Sequence, residues 1–194
     1  MIFTRRELAN RLGRILSTHG IDQNLNRTMT HILTLSLDAE SQAYFEALRR
    51  LHFPPERNQI PAHLTLFHAL PNDTNVLRVL KSEAQREQPF ALAVTGVRSL
   101  GKGVAYKLES AALSALHARL SKPFAEHLTA QDKQRIQPHI VVQNKVTTAT
   151  AHELLQNLQQ AFAPMQVQAL GMDLWRYMGG PWEFARTFPF AAPS

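Results

Sequence analysis

Pro61-Ala62-His63-Leu64-Thr65-Leu66-Phe67 has a fainter echo later in the chain, Gln137-Pro138-His139-Ile140-Val141-Val142-Gln143. Each is a short apolar run entered through a proline and carrying a histidine at its head. Strand-forming residues dominate both, and strand side chains alternate faces with period two. The alternation predicts His63, Thr65 and Phe67 on one face, with Leu64 and Leu66 on the other. In the second run His139, Val141 and Gln143 share a face, while Ile140 and Val142 point away. A histidine with a hydroxyl two residues on can hold a proton and a phosphoryl oxygen side by side. Two such strands brought together would set two imidazoles around one substrate.

Working outward, the elements alternate from Met29. His31–Leu37 reads as a half-buried strand, with Leu33, Leu35 and Leu37 alternating with Thr34 and Ser36. Asp38 can cap a helix to about His52, with Tyr44, Leu48 and Leu51 on its inner face. A proline-bearing charged loop, Phe53 to Pro61, leads into the first histidine strand. A helix from about Thr74 to Arg86 and a strand Phe90–Val97 come next. The series then runs again: a strand Gly103–Leu108, a helix capped by Ser110, the second histidine strand, and a helix opened by the capping box Thr150-Ala151-His152-Glu153. Two long strands, roughly Met165–Tyr177 and Trp182–Pro189, close the chain, with a bulge expected at Gly171.

Strand, helix, histidine strand, helix, strand thus occurs twice, the pattern an internal duplication leaves when residue identity has decayed. The expected fold is α+β: two related lobes, roughly 29–98 and 99–194, intertwined about a pseudo-twofold axis. Antiparallel sheets would flank a central groove, with helices outside. Residues 1–28, in which Thr4-Arg5-Arg6-Glu7 forms another capping box, read as a separate helical extension.

Composition bounds the function. A chain of 194 residues with 44% hydrophobic and 19% charged residues is ordinary for a globular protein. It contains no cysteine, which removes disulfides, thiol nucleophiles and cysteine-ligated metal sites together and fits a cytoplasmic setting. The apolar runs are too short to span a bilayer. A net charge of +6 attracts anions, with nucleic acid or a phosphorylated small molecule the natural partners.

Opening a cyclic phosphate needs one group to deprotonate water and another to protonate the leaving oxygen, and two histidines can supply both near neutral pH. His63 and His139 are the candidate catalytic residues, in either order. Thr65 is the candidate phosphate binder, with Val141 at the matching position of the second run. Arg57, Tyr106, Gln143, Lys145 and Trp182 are candidate substrate contacts, and Lys102 and Arg135 further cations near the expected groove. His68 falls on the face opposite His63 and is read as structural, as are His31, His52, His117, His127 and His152. No third ligand accompanies the histidine pair, so neither metal nor cofactor is expected.

His63-Leu64-Thr65-Leu66 and His139-Ile140-Val141-Val142, in a duplicated α+β frame, resemble the two-histidine phosphoesterase superfamily, specifically its 2′-5′ RNA ligase-like branch. The resemblance runs from Met29 to about Pro189. It includes Pro54-Pro55-Glu56-Arg57-Asn58, Leu174-Trp175-Arg176-Tyr177 and Gly179-Gly180-Pro181-Trp182. It implies a bilobal fold, an acid–base pair of histidines, and metal-free hydrolysis of 2′,3′-cyclic phosphates or related phosphodiesters on nucleotides or RNA ends. In some members it implies 2′-5′ RNA ligation. The chain would act as a monomer, without a membrane. Val141 departs from the family's threonine or serine and lacks a hydroxyl to donate. The rival expectation is a non-catalytic nucleotide- or RNA-binding module that kept the groove. A third is a scaffold that binds a protein partner through residues 1–28.

Overall fold

The computed structural model describes residues 30–192, so the helical extension expected at residues 1–28 lies outside the described residues. The chain runs β1 (Thr30–Leu37), α1 (Ala39–His52), a short 3-10 turn (Pro55–Arg57), β2 (Leu64–Pro71), α2 (Thr74–Ala84) and β3 (Phe90–Ser99). It continues with β4 (Val104–Glu109), α3 (Ala111–Phe124), β5 (His139–Gln143), α4 (Thr148–Gln160), β6 (Met165–Tyr177) and β7 (Glu183–Pro189). The fold is α+β, as the alternating pattern predicts. Among the described residues no helix is long and apolar enough to cross a membrane.

All strand pairings are antiparallel, in the order β2-β1-β6-β3-β4-β5, with β7 added on β6. Exchanging β1, β2 and β3 with β4, β5 and β6 reverses that order and otherwise leaves it unchanged. The connectivity therefore carries the repeat read from the element series. The two histidine strands end up at opposite ends of the six-strand path. Even so, Cα atoms of β2 and β5 come within 8 Å of each other. Sheets twist because strands do, and here the curl is strong enough to bring the far edges face to face.

Local signals set most helix starts. Asp38 caps α1 by accepting from Ser41 N at 2.9 Å, and Ser110 caps α3 by accepting from Leu113 N at 3.3 Å. The last helix departs from expectation: Thr147, not Thr150, is its cap, accepting from Thr150 N at 3.2 Å. In α1 the inner face also differs. Phe45 and Arg49 are buried, whereas Tyr44 is 40% and Leu51 75% exposed. Leu48 packs against the core as the spacing predicts, but hydrophobic spacing cannot foresee a buried charged residue such as Arg49.

Both histidine strands carry a bulge at the same place. In β2, Leu64 and Thr65 face Leu35 and Thr34, but Leu33 then faces Phe67, leaving Leu66 as the extra residue. In β5, Val141 faces Ala105 and Gln143 faces Val104, leaving Val142 as the extra residue. Leu66 and Val142 each lie three residues after their histidine. A bulge shifts the alternation by one, so Phe67 and Gln143 turn into the protein and are buried. This corrects the strict alternation, which put Phe67 and Gln143 on the histidine face and His68 opposite it.

Close strand contact at β5 requires Gly103, because a Cβ there would lie 2.2 Å from the carbonyl oxygen of Gln143. In β6 the extra residue is Leu170, one place before the Gly171 where a bulge was expected. Gly171 itself lies under β7, where a Cβ would meet the Phe188 carbonyl at 2.6 Å.

Candidate active site

The two histidines are held in the same way. His63 Nδ1 lies 2.7 Å from the carbonyl oxygen of Pro61, and His139 Nδ1 lies 2.8 Å from that of Gln137. A carbonyl can only accept, so each contact places the proton on Nδ1 and leaves Nε2 to take or give one. Pro138 keeps Gln137, whose carbonyl is the acceptor, extended, whereas in the first motif Pro61 supplies the carbonyl itself.

Burial pushes the His63 pKa down to about 4, assisted by the charges of Arg49, His139 and His68 and opposed by the Pro61 carbonyl. The His63 ring also packs against Trp182, centroids 4.7 Å apart and planes at 49°. A folded-state pKa below the unfolded value near 6.5 means that the unfolded chain binds the extra proton first as pH falls. This contribution to stability is complete above about pH 6.5 and is lost as pH falls toward 4. Replacing His63 with Gln is therefore expected to flatten the fall in melting temperature over that window, read by thermal melts at pH 7, 5.5 and 4.5. An unchanged slope would show that His63 is not desolvated.

A polar stripe on α1 ties the first histidine loop to the second histidine strand. Gln42 Nε2 donates to Ala62 O at 2.9 Å, and Glu46 Oε1 accepts from Ala62 N at 2.6 Å. Arg49 is 3% exposed and spends its guanidinium on three acceptors. They are Asn58 Oδ1 at 3.1 Å, Ile60 O at 2.9 Å and Val141 O at 2.9 Å. The last belongs to β5. From the other half, His117 of α3 stacks on Phe67 of β2 with centroids 4.6 Å apart. Each half thus grips the histidine strand of the other.

Two cavities open around the pair. One, of about 270 Å³, is lined by His63 with Gln42, Asp173, Trp175 and Phe184. Burial raises the Asp173 pKa, although its carboxylate accepts from Thr187 Oγ1 at 2.6 Å. The other, of about 210 Å³, is lined by His139 with Thr65, His68, Asp132 and Arg135. Thr65, two residues from His63, stands in the second cavity beside His139. The motif of one half thereby meets the motif of the other.

The remaining sequence candidates are scattered. Val141 stays half-buried on the histidine side of β5, and Trp182 covers His63. Tyr106 is 4% exposed, with its ring against Tyr44, Phe45 and Phe162 and its hydroxyl 3.4 Å from that of Tyr44. The bulge turns Gln143 inward, where its Oε1 finds no protein partner. Arg57 is exposed in the 3-10 turn, and Lys145 is exposed in the loop after β5 with a left-handed φ of 62°. Neither of these two lines the cavity beside His63 or the one beside His139. Sequence reading missed Arg49, His68, Asp132 and Asp173. Only the α1 stripe had a signal: Gln42, Glu46 and Arg49 recur at helical spacing. Among the described residues no three His, Asp or Glu side chains gather as a metal site would require.

Residues 37–181 match the family model described as the 2′-5′ RNA ligase superfamily. No curated protein matches the sequence. Among solved structures, TT0787 of Thermus thermophilus superposes with a TM-score of 0.57 at 16% identity, covering 85% of this chain and 100% of that one. Escherichia coli LigT complexed with 3′-AMP superposes with a TM-score of 0.54 at 18% identity, covering 84% of this chain and 98% of that one. At such identities the structures speak to the fold.

Proposed function

Because the chain belongs to the 2′-5′ RNA ligase superfamily, we propose that it hydrolyses 2′,3′-cyclic phosphates or related phosphodiesters on nucleotides or RNA ends, with His63 and His139 as the acid–base pair. The observation that carries this reading is the matched pair of Nδ1–carbonyl contacts on two strands whose edges meet. It is supported by E. coli LigT, whose superposed crystal structures include complexes with 3′-AMP and with phosphate.

His63, with its pKa near 4, is neutral at pH 7 and suits the base. Its Nε2 takes a proton from water as the water oxygen bonds to phosphorus. The bond from phosphorus to one ribose oxygen breaks, and His139 Nε2 gives that oxygen a proton. The product is a phosphomonoester. Thr65 donates its hydroxyl to a non-bridging oxygen, where a preformed donor is worth most as charge develops. No step in this scheme calls for a metal.

The test is hydrolysis of nucleoside 2′,3′-cyclic phosphates and of cyclic-phosphate-ended RNA in EDTA, together with identification of the ribose oxygen that keeps the phosphate. Turnover in EDTA supports the reading, and turnover that needs an added divalent ion overturns the metal-free chemistry.

Val141 favours a second reading, a nucleotide- or RNA-binding module without turnover. Valine matches threonine in shape and cannot donate to phosphate. In an enzyme, Val141→Thr is expected to raise kcat/KM roughly tenfold, the worth of one hydrogen bond to a charged group. Wild-type and Val141→Thr proteins that both bind RNA and both fail to turn over would establish the binding module.

A further inference from the structure

We propose that the cavity beside His139 is a second-phosphate subsite, in which Arg135 and the Gln131 amide, positioned by His68, hold a phosphate of the substrate other than the one attacked. This rests on the hydrolytic reading above and narrows its substrate class. The cavity is small, about 210 Å³, and reaches one member of the pair, since His139 and Thr65 form part of its wall. Arg135 is exposed along its rim, and the β2 bulge places His68 on the Thr65 side of the strand.

His68 is built into this position. Asp132 is buried, and its Oδ1 accepts from both His68 Nδ1 at 2.8 Å and His68 N at 2.9 Å. Its Oδ2 accepts from Ala69 N and Thr129 Oγ1, each at 3.1 Å. Burial would raise the Asp132 pKa, but the hydrogen bonds from His68 and Thr129 hold it below the usual carboxylate value. With both oxygens engaged, the carboxylate serves to fix His68 in place. Its bond to Nδ1 leaves the other ring nitrogen to accept from Gln131 Nε2 at 3.2 Å, which fixes that amide in the cavity wall with its second N–H unspent. A larger neighbouring cavity of about 550 Å³ shares the Arg135–Gln137 wall and adds Arg98, which donates to Gln137 Oε1 at 3.0 Å, and Lys107, which pairs with Glu109 at 3.9 Å.

Two sources could supply the second phosphate: the 5′-phosphate of a mononucleotide, or the next backbone phosphate of an oligonucleotide. The experiment compares kcat/KM in EDTA for adenosine 2′,3′-cyclic phosphate, its 5′-phosphorylated form and a dinucleotide with a cyclic-phosphate end. The proteins are wild type, Arg135→Gln and His68→Gln. The expected result is a preference of roughly tenfold or more for a substrate with a second phosphate, falling toward one in both variants. The better of the two phosphorylated substrates identifies the source. Because His68→Gln removes one of the four hydrogen bonds to buried Asp132, Arg135→Gln carries the test alone if the other variant fails to melt cooperatively.

Calorimetry with adenosine 3′,5′-bisphosphate and 3′-AMP separates this inference from the reading beneath it. Without any turnover, roughly tenfold tighter binding of the bisphosphate that is lost in Arg135→Gln keeps the subsite while the hydrolytic reading falls. Equal rates and equal affinities with and without the second phosphate, or a preference that both variants retain, overturn the subsite.

Discussion

His63→Ala and His139→Ala are each expected to cut kcat/KM for a cyclic phosphate by about 10²–10⁴, the usual worth of a positioned proton-transfer group. Proton removal from water and proton delivery to the leaving oxygen belong to one displacement, so losing either partner forfeits most of the gain. The double variant is therefore expected to be little worse than the worse single one, because groups acting as a unit are strongly non-additive. The backbone contacts at Pro61 and Gln137 involve only the ring Nδ1 atoms, so neither substitution removes a core side chain. Both variants should melt near the wild-type temperature at pH 7. Steady-state rates in EDTA with thermal melts check this. Turnover that survives either substitution in a folded protein would remove that histidine from the chemistry.

The second large effect is expected at Arg49, which touches neither cavity yet binds both histidine segments. Arg49→Met keeps the aliphatic stem but strips donors from Val141 O, Ile60 O and Asn58 Oδ1. Buried acceptors left unpaired cost about 1–3 kcal/mol each before water enters, so a total near ~3 kcal/mol is expected. That corresponds to a fall in melting temperature of roughly 6–12 °C for a domain of this size.

Function should change beyond the loss of stability. Without Arg49 the spacing between the two histidine segments is no longer tied, and kcat should fall more than KM rises. The Arg49 charge is also one of the influences that lower the His63 pKa. Its removal should move the acid limb of the pH–rate profile upward, toward the ordinary histidine value. Folded Arg49→Met protein with an unmoved acid limb would leave Arg49 with a purely structural part.

The bulges show where sequence reading stopped. The shared face of His63 and Thr65, and of His139 and Val141, was visible because residues two apart on a strand point the same way. The facing of the residues after them was not visible. Whether Leu66 or Phe67 carries the extra residue depends on how β1 runs past β2, a property of two strands and not of one. The same holds for Val142 and Gln143 against β4. A one-residue shift moves every later side chain to the other face. It buried Phe67 and Gln143 and brought His68 into the cavity beside His139. Arg49 was hidden for a related reason, since hydrophobic patterning treats a charged residue as outward-facing unless its buried partners are known.

By itself the sequence determined the alternation of strands and helices, the caps at Asp38 and Ser110 and the twofold repeat of the series. These come from backbone preferences and side-chain periodicity, which act over a few residues. Only the tertiary structure decided which groups meet. The two histidine strands lie at opposite ends of the sheet order, and nothing local says that its edges close on each other. That closure comes from the accumulated twist of the strands and from side chains reaching across: Arg49 onto β5, His117 onto β2 and Asp132 onto His68. Contacts between segments far apart in the chain depend on the packing of the whole molecule, and the site is made of such contacts.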